Sequence, residues 1–164
     1  MIAILKTLCG SMLSVILFFT IMKGLYVDLD FECLRPLEPL LVGKQVVMAL
    51  EPSEHLEKEL VRQRSFKQVL CNALIASQPR HLFWEQVFQE LIICQDASDP
   101  LDATGPFMLT RAYDYFSQHE TVTIESSERL CPITDEQGWY GILKDNATGA
   151  FPKKGSLSIW VVAK

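Results

Sequence analysis

The chain lacks the signals of several common protein classes. Its five cysteines are odd in number and include no CxxC pair, so they indicate neither a zinc site nor a complete disulfide framework. No basic run is present and the formal net charge is −5, which argues against nucleic acid as a partner held by bulk charge. Internal repeats and low-complexity linkers are also missing. At 164 residues, 49% of them hydrophobic, the chain has the size and composition of one globular domain.

Charge is almost absent from the start of the chain. Between Ile2 and Met22 the one charged residue is Lys6, so this run approaches the roughly 20 apolar residues that span a bilayer. Only Lys23 and Gly24 separate the run from the next strand pattern, which leaves no stem between a membrane and a domain. The sequence therefore predicts an apolar helix over 1–23 that is either a membrane anchor through residues 2–22 or a core helix packed on a sheet.

Strand and helix patterns alternate along the rest of the chain, which predicts the α/β class. The predicted strands cover 25–29, 45–50 and 121–124, with a closing edge strand in 156–163; the first is predicted to be buried. The predicted helices cover 65–77, 81–95 and 106–116. The first begins with a capping box at Ser65 and Gln68. The second has Trp84, Val87, Phe88 and Leu91 on its inner face, and the third begins at Pro106. The charged segment 53–64 is predicted as an exposed loop or surface helix, and 96–105 as a loop.

Three acidic residues lie at alternate positions from the carboxyl end of the first predicted strand onward. Asp28, Asp30 and Glu32 would share one face of an extended chain, about 7 Å from one to the next, where like charges repel unless water or a cation separates them. An EF-hand calcium loop does not fit, because its sixth and twelfth positions fall on Cys33 and Pro39. A phosphatase with Asp28 as its nucleophile stays a minor alternative, although Glu32 stands where that class has Thr or Val.

The stretch GLYVDLDFECLRPLEPLL resembles the sugar-binding DXD region of glycosyltransferase family 32, which is related to fungal α-1,6-mannosyltransferases and inositol-phosphorylceramide mannosyltransferases. Four further stretches resemble family landmarks in the family's order. They are ALEP at 49–52, NALIASQPRHLFW at 72–84, TGPFMLT at 104–110 and CP at 131–132. Several co-linear motifs are more specific than a lone DXD pair.

The resemblance implies a partial GT-A-like sandwich over 24–164 and a metal-dependent hexosyltransferase. Asp28 and Asp30 fall on the DXD pair and are the expected catalytic and metal-binding residues, with Mn²⁺ or Mg²⁺ between them and the diphosphate of a nucleotide sugar. The expected substrate-binding residues are Tyr26, Asn72, Ser77, Thr104, Gly105 and Pro106. The implied reaction transfers a hexose, with mannose preferred, to a glycan or glycolipid acceptor with retention. The implied location is the Golgi or another endomembrane, in a single-pass membrane protein.

Two departures from the family pattern bear on activity. Almost nothing precedes the DXD pair, where the family has strands that build much of the nucleotide pocket. No histidine follows His119, where the family has a C-terminal histidine that completes the metal site. The resemblance therefore implies a domain truncated at both ends, in which donor binding can survive where turnover does not. The alternative from another class is a catalytically silent, membrane-attached remnant.

Overall fold

The computed structural model describes residues 10–28, 31–33, 36–130 and 161–163. The helices of this part are α1 (Gly10–Ile21), α2 (Glu38–Leu41), α3 (Glu59–Arg62), α4 (Phe83–Ile93), α5 (Pro100–Ala103), α6 (Pro106–Tyr115) and α7 (Ser127–Leu130). The strands are β1 (Gly24–Val27), β2 (Phe31–Cys33), β3 (Val46–Leu50), β4 (Leu70–Ser77), β5 (Val122–Glu125) and β6 (Val161–Ala163). Short 3₁₀ helices cover Ser53–Glu57 and His119–Thr121. This mixed content agrees with the predicted α/β class.

The main sheet has four strands in the order β1-β4-β3-β5. Strand β4 is antiparallel to both of its neighbours, whereas β5 is parallel to β3. Strands β1, β3 and β5 therefore run in one direction and β4 runs in the other. The carboxyl ends of β1, β3 and β5 therefore lie side by side with the amino end of β4. We call this side of the sheet, where those strands end, its carboxyl edge. A separate antiparallel pair joins β2 to β6.

The main core lies between the sheet and helices α1, α4 and α6. It includes Phe19 of α1, Trp84 of α4 and Leu109 of α6, all at most 1% exposed. A smaller cluster, built on Leu74 of β4 with Leu40 and Leu130, covers the opposite face. Adjacent strand residues such as Leu74 and Ile75 belong to different clusters, because successive side chains point to opposite faces. The sheet is thus covered on both faces.

Two of the three predicted helices are confirmed. Helix α4 buries Trp84, Val87 and Leu91 as its 3.6-residue period predicts, although Phe88 is 37% exposed. Helix α6 begins at Pro106, whose missing N–H is no loss in the first turn. Strands β3 and β5 also lie where the sequence predicts them. The segment 53–64 forms a 3₁₀ helix and α3, and the predicted loop 96–105 includes the short helix α5.

The predicted helix over 65–77 is wrong, because this segment contains β4, a central strand. No helix begins directly after Ser65, whose φ is 56°, so the Ser65–Gln68 pair has no helix to cap. Six of the eight β4 residues are buried, as expected of a strand with neighbours on both edges and cover on both faces. A short apolar run of this kind matches a buried strand and a helix equally well by periodicity. Asn72 and Ser77 therefore lie on a strand and not on a helix.

The first predicted strand exists as β1, but it is not buried as predicted. It is an outer strand of the sheet, with Leu25 exposed and its other residues half-buried. The predicted closing strand in 156–163 agrees with β6 over Val161–Ala163, and the rest of that prediction lies outside the described residues.

Helix α1 packs against α4 through Val15, Ile16 and Phe19, which are all at most 5% exposed. Phe19 stacks on Trp84 with 4.9 Å between ring centroids. No helix within 10–130 that the structure describes has both the length and the apolar character needed to cross a bilayer. Residues 1–9 of the apolar start lie outside the described part of the chain, so the single helix over 1–23 stays a prediction.

Candidate functional site

Asp28 lies immediately after β1, at the carboxyl edge of the sheet. Its backbone N–H donates to the carbonyl of Ala73 on β4 over 2.9 Å, which extends the pairing of the two strands by one residue. The side chain is half-buried. Asp30, the second member of the predicted pair, lies outside the described residues.

Tyr26 contacts Asp28 directly. Its hydroxyl donates to Oδ1 of Asp28 over 2.5 Å, a length typical of a charge-assisted hydrogen bond. The two residues are separated by one position on an extended strand, so both side chains lie on the same face. The ring of Tyr26 packs against the main core, which fixes the position of the hydroxyl. The structure therefore joins two of the predicted site residues through one hydrogen bond.

Asn72 lies in a bulge of β4, the strand that pairs with β1. Met48 of β3 stands opposite Ile75, but the next residue, Ala49, stands opposite Cys71. Residues 72–74 consequently have no counterpart on β3. On the other side, Leu74 pairs with Val27 of β1. Bulges of this kind often redirect side chains near functional sites. Asn72 is the residue before Ala73, whose carbonyl accepts the Asp28 N–H.

Two other carboxylates, Glu51 after β3 and Glu125 at the end of β5, follow strands that end at this edge. Glu51 Oε2 lies 2.9 Å from Nδ1 of His55. Glu125 pairs with Lys44 Nζ at 2.5 Å and with Arg129 Nη1 at 2.8 Å. Burial acts to raise the pKa of Glu125, but the hydrogen bonds from Lys44 and Arg129 outweigh it, so the pKa lies below its ordinary value. These two carboxylates are thus held by basic side chains.

Asp28 differs from both, since its side-chain partner within the described residues is the neutral phenol of Tyr26. No lysine, arginine or histidine of that part of the chain forms an ion pair with it. A carboxylate that receives a hydrogen bond but no balancing cation stabilises a positive group brought by a ligand. Of the carboxylates described at this edge, Asp28 is therefore the one best suited to bind a positively charged group of a ligand.

The segment Thr104–Pro106 forms the junction between α5 and α6. Gly105 is buried, and a Cβ built there would lie 2.7 Å from the Cα of Leu101, so the close approach of the two helices requires glycine. One turn later, Thr110 donates to the carbonyl of Pro106 and accepts from the N–H of Leu70, the first residue of β4. Helix α6 thus begins near the amino end of β4. Asp28 pairs with Ala73, three residues after Leu70 on that strand.

Ser77 lies at the other end of β4. It stands opposite Gly24, four residues and about 13 Å along the strand direction from Asp28. Its buried hydroxyl donates to the carbonyl of Gln78 and accepts from the indole N–H of Trp84 over 2.8 Å. The structure therefore brings Tyr26 and Asp28 together and places Asn72 on the neighbouring strand, one residue before Ala73, but it does not bring Ser77 to them.

Sequence reasoning did not find a cluster of charged side chains between α4, α5 and α6. Arg111 contacts Glu90, Cys94 and Asp102, while Arg64 contacts Asp99 and Asp102. The hydrogen bond from Arg64 is the main reason that the pKa of Asp102 lies below its ordinary value. An open groove of about 850 Å³ runs beside the two arginines. No spacing rule connects Arg64 to Asp102, because 38 residues separate them.

The donor set at Asp28 suits a hard divalent cation, since carboxylate oxygens are the ligands that Mg²⁺ and Mn²⁺ prefer. The described residues contain no group of three or more His, Cys, Asp or Glu side chains placed to hold a metal ion. No protein-family model matches the chain, and no curated protein matches it either.

Proposed function

We propose that this chain is a GT-A-like glycosyltransferase domain that binds a nucleotide-diphosphate sugar through a divalent cation at Asp28 and Asp30. The observation that carries the proposal is the environment of Asp28. Its carboxylate lies at the carboxyl edge of the sheet and accepts a hydrogen bond from Tyr26, but no described lysine, arginine or histidine pairs with it. In open α/β sheets this edge is where ligands bind. The resemblance of 24–41 to a sugar-binding DXD region points to the same residue.

The proposed reaction transfers a hexose, with mannose as the proposed sugar, to a hydroxyl of a glycan or glycolipid. The bond between the anomeric carbon and the diphosphate oxygen breaks, and a bond to the acceptor oxygen forms with retention. The acceptor proton leaves with the diphosphate. When bound, Mn²⁺ or Mg²⁺ neutralises charge on the departing diphosphate. Asp28 and Asp30 would hold the cation, and Asn72 would donate to a sugar or ribose hydroxyl.

The proposed roles of the other residues follow from their places in the fold. The amino end of α6 at Thr104–Pro106 lies towards the same end of β4 as Asp28, so its first turn would contact donor oxygens. Ser77 is assigned no contact with the donor phosphates, since it lies about 13 Å along the strand direction from Asp28. The endomembrane location and the membrane anchor through residues 2–22 stay parts of the proposal.

Calorimetric titration of Mn²⁺ into the full chain, in the presence of GDP or UDP, tests the proposal. We expect binding that depends on one of the two nucleotides. Asp28→Asn and Asp30→Asn should each weaken it on the order of 10- to 100-fold, because each removes a charged ligand and keeps the side-chain shape. Asp96→Asn, which changes an exposed carboxylate in the loop after α4, is the matched control.

A second assay, release of hexose from GDP-mannose or UDP-glucose, separates an enzyme from a silent remnant. Metal-dependent hydrolysis that Asp28→Asn abolishes supports transferase chemistry. Nucleotide and Mn²⁺ binding without any hydrolysis would mean that the donor site is retained and turnover is lost. Absence of Mn²⁺ binding in both the unaltered chain and the variants contradicts the proposed function.

A further inference from the structure

The contact between Tyr26 and Asp28 restrains one oxygen of a carboxylate. The phenol donates to Oδ1, while no described side chain donates to Oδ2. The hydroxyl itself has little freedom, because the half-buried ring packs against the main core and stands opposite Ile75 in the strand register. The two carboxylate oxygens are therefore distinct: Oδ1 is engaged within the strand, and Oδ2 is the oxygen left for a ligand.

The main chain of Asp28 is restrained as well. Its N–H donates to the carbonyl of Ala73, which lies in the bulge of β4. A side chain fixed at its backbone and at one oxygen has lost most of its rotamer freedom before a ligand arrives. Pre-organisation of this kind raises affinity, because less ordering remains to be done on binding.

We infer that Tyr26 is a positioning residue that makes Asp28 a one-oxygen ligand for a small divalent cation. This inference rests on the proposed function and specifies how its metal site selects among cations. Mg²⁺ and Mn²⁺ accept single oxygens in octahedral geometry, whereas Ca²⁺ takes six to eight oxygens and readily binds a carboxylate through both. A phenol that occupies Oδ1 disfavours the two-oxygen arrangement. Tyr26 thus biases the site towards Mn²⁺ and Mg²⁺ and away from Ca²⁺.

The Tyr26→Phe variant tests this role, because it removes the hydroxyl and keeps the ring that packs in the core. The probes are Mn²⁺, followed by the electron paramagnetic resonance signal of the free ion, and Ca²⁺ as its competitor, both in the presence of whichever of GDP and UDP supports Mn²⁺ binding. We expect Mn²⁺ affinity to fall about 10-fold, as for loss of other groups that orient a metal ligand. Ca²⁺ affinity should fall less or rise, so the ratio of Ca²⁺ to Mn²⁺ affinity increases several-fold.

Two comparisons make the result specific. Tyr115→Phe removes the hydroxyl of an exposed tyrosine on α6 and should change neither affinity. In an Asp28→Asn background, Tyr26→Phe should have no further effect on Mn²⁺ affinity, because the group that it positions is gone. Circular dichroism and the unfolding temperature verify that each variant keeps its fold.

The outcomes separate this inference from the proposed function. Mn²⁺ binding that Tyr26→Phe leaves unchanged overturns the positioning role and leaves the proposed function intact. An equal loss of Mn²⁺ and Ca²⁺ affinity also overturns it, since a general loosening of the strand would weaken both ions alike. If the unaltered chain binds no Mn²⁺ at all, both the inference and the proposed function fail.

Discussion

The guanidinium of Arg111 donates from Nε to Oε1 of Glu90 over 2.9 Å and so joins α6 to α4. Glu90 is 3% exposed, so its charge is stabilised by Arg111 rather than by water. The same guanidinium donates from Nη1 to Asp102 over 2.6 Å, which connects α5 to the pair. Arg111 is therefore the centre of a charged cluster that holds three helices together.

Replacement of Arg111 by methionine should destabilise the fold. Removal of one partner from a buried ion pair leaves an uncompensated charge, and we expect a loss of about 3 kcal/mol in the free energy of unfolding. Urea denaturation at pH 7 measures the change. Arg62→Met, which breaks the exposed pair with Glu57, should cost less than about 1 kcal/mol. Equal losses for the two variants would show that burial of Glu90 does not determine the effect.

The Ser77→Ala variant tests whether this residue is structural or binds substrate. The buried indole N–H of Trp84 would lose its acceptor, so we expect a loss of about 1–3 kcal/mol in the free energy of unfolding. Nucleotide binding to the folded fraction should not change. Ser53→Ala, which alters an exposed serine, is the control. A loss of nucleotide affinity with normal stability would instead assign Ser77 to the donor site.

Acid should weaken the fold through Asp102. Hydrogen bonds from Arg64 and Arg111 hold the pKa of this carboxyl below its ordinary value of 3.8. The unfolded chain then binds the proton first, so the stabilisation is complete above about pH 4 and is lost as the pH falls through the lower folded pKa. Urea midpoints measured from pH 6 to pH 2.5 should fall less steeply in Asp102→Asn than in the unaltered chain. Asp96→Asn should keep the steeper dependence.

His81 should add a second pH dependence at higher pH. Burial lowers the pKa of its imidazole below 6.5, so the unfolded chain is protonated first as the pH decreases. The stability that depends on neutral His81 is therefore complete above pH 6.5 and declines as the pH falls through the folded pKa. Unfolding temperatures at pH 7.5, 6.5 and 5.5 should decrease less in His81→Gln than in the unaltered chain. The exposed His119 offers the control variant His119→Gln, and an identical decrease in both variants contradicts the assignment.

Several elements of this fold are predictable from local pattern alone. Helices α4 and α6 carry apolar residues at helical spacing over three turns, and Pro106 marks where α6 begins. Strand β3 is a short apolar run, and the β5 region alternates threonine with valine and isoleucine. The position of Asp28 at the carboxyl end of a strand also follows from the sequence, since an apolar run precedes the acidic residues. These features depend on residues that are close together in the sequence, so they can be predicted from the sequence alone.

Three features depended on tertiary structure. Segment 70–77 is a strand because β1 and β3 supply hydrogen-bond partners on both of its edges, and no local signal shows those neighbours. The exposure of β1 follows from its outer place in the sheet, which its apolar residues do not predict. The pairing of Arg64 with Asp102 joins positions 38 residues apart. The sequence by itself therefore determined which residues are apolar, acidic or helix-forming, whereas the tertiary structure decided which carboxylates meet a cation and which, like Asp28, meet a phenol.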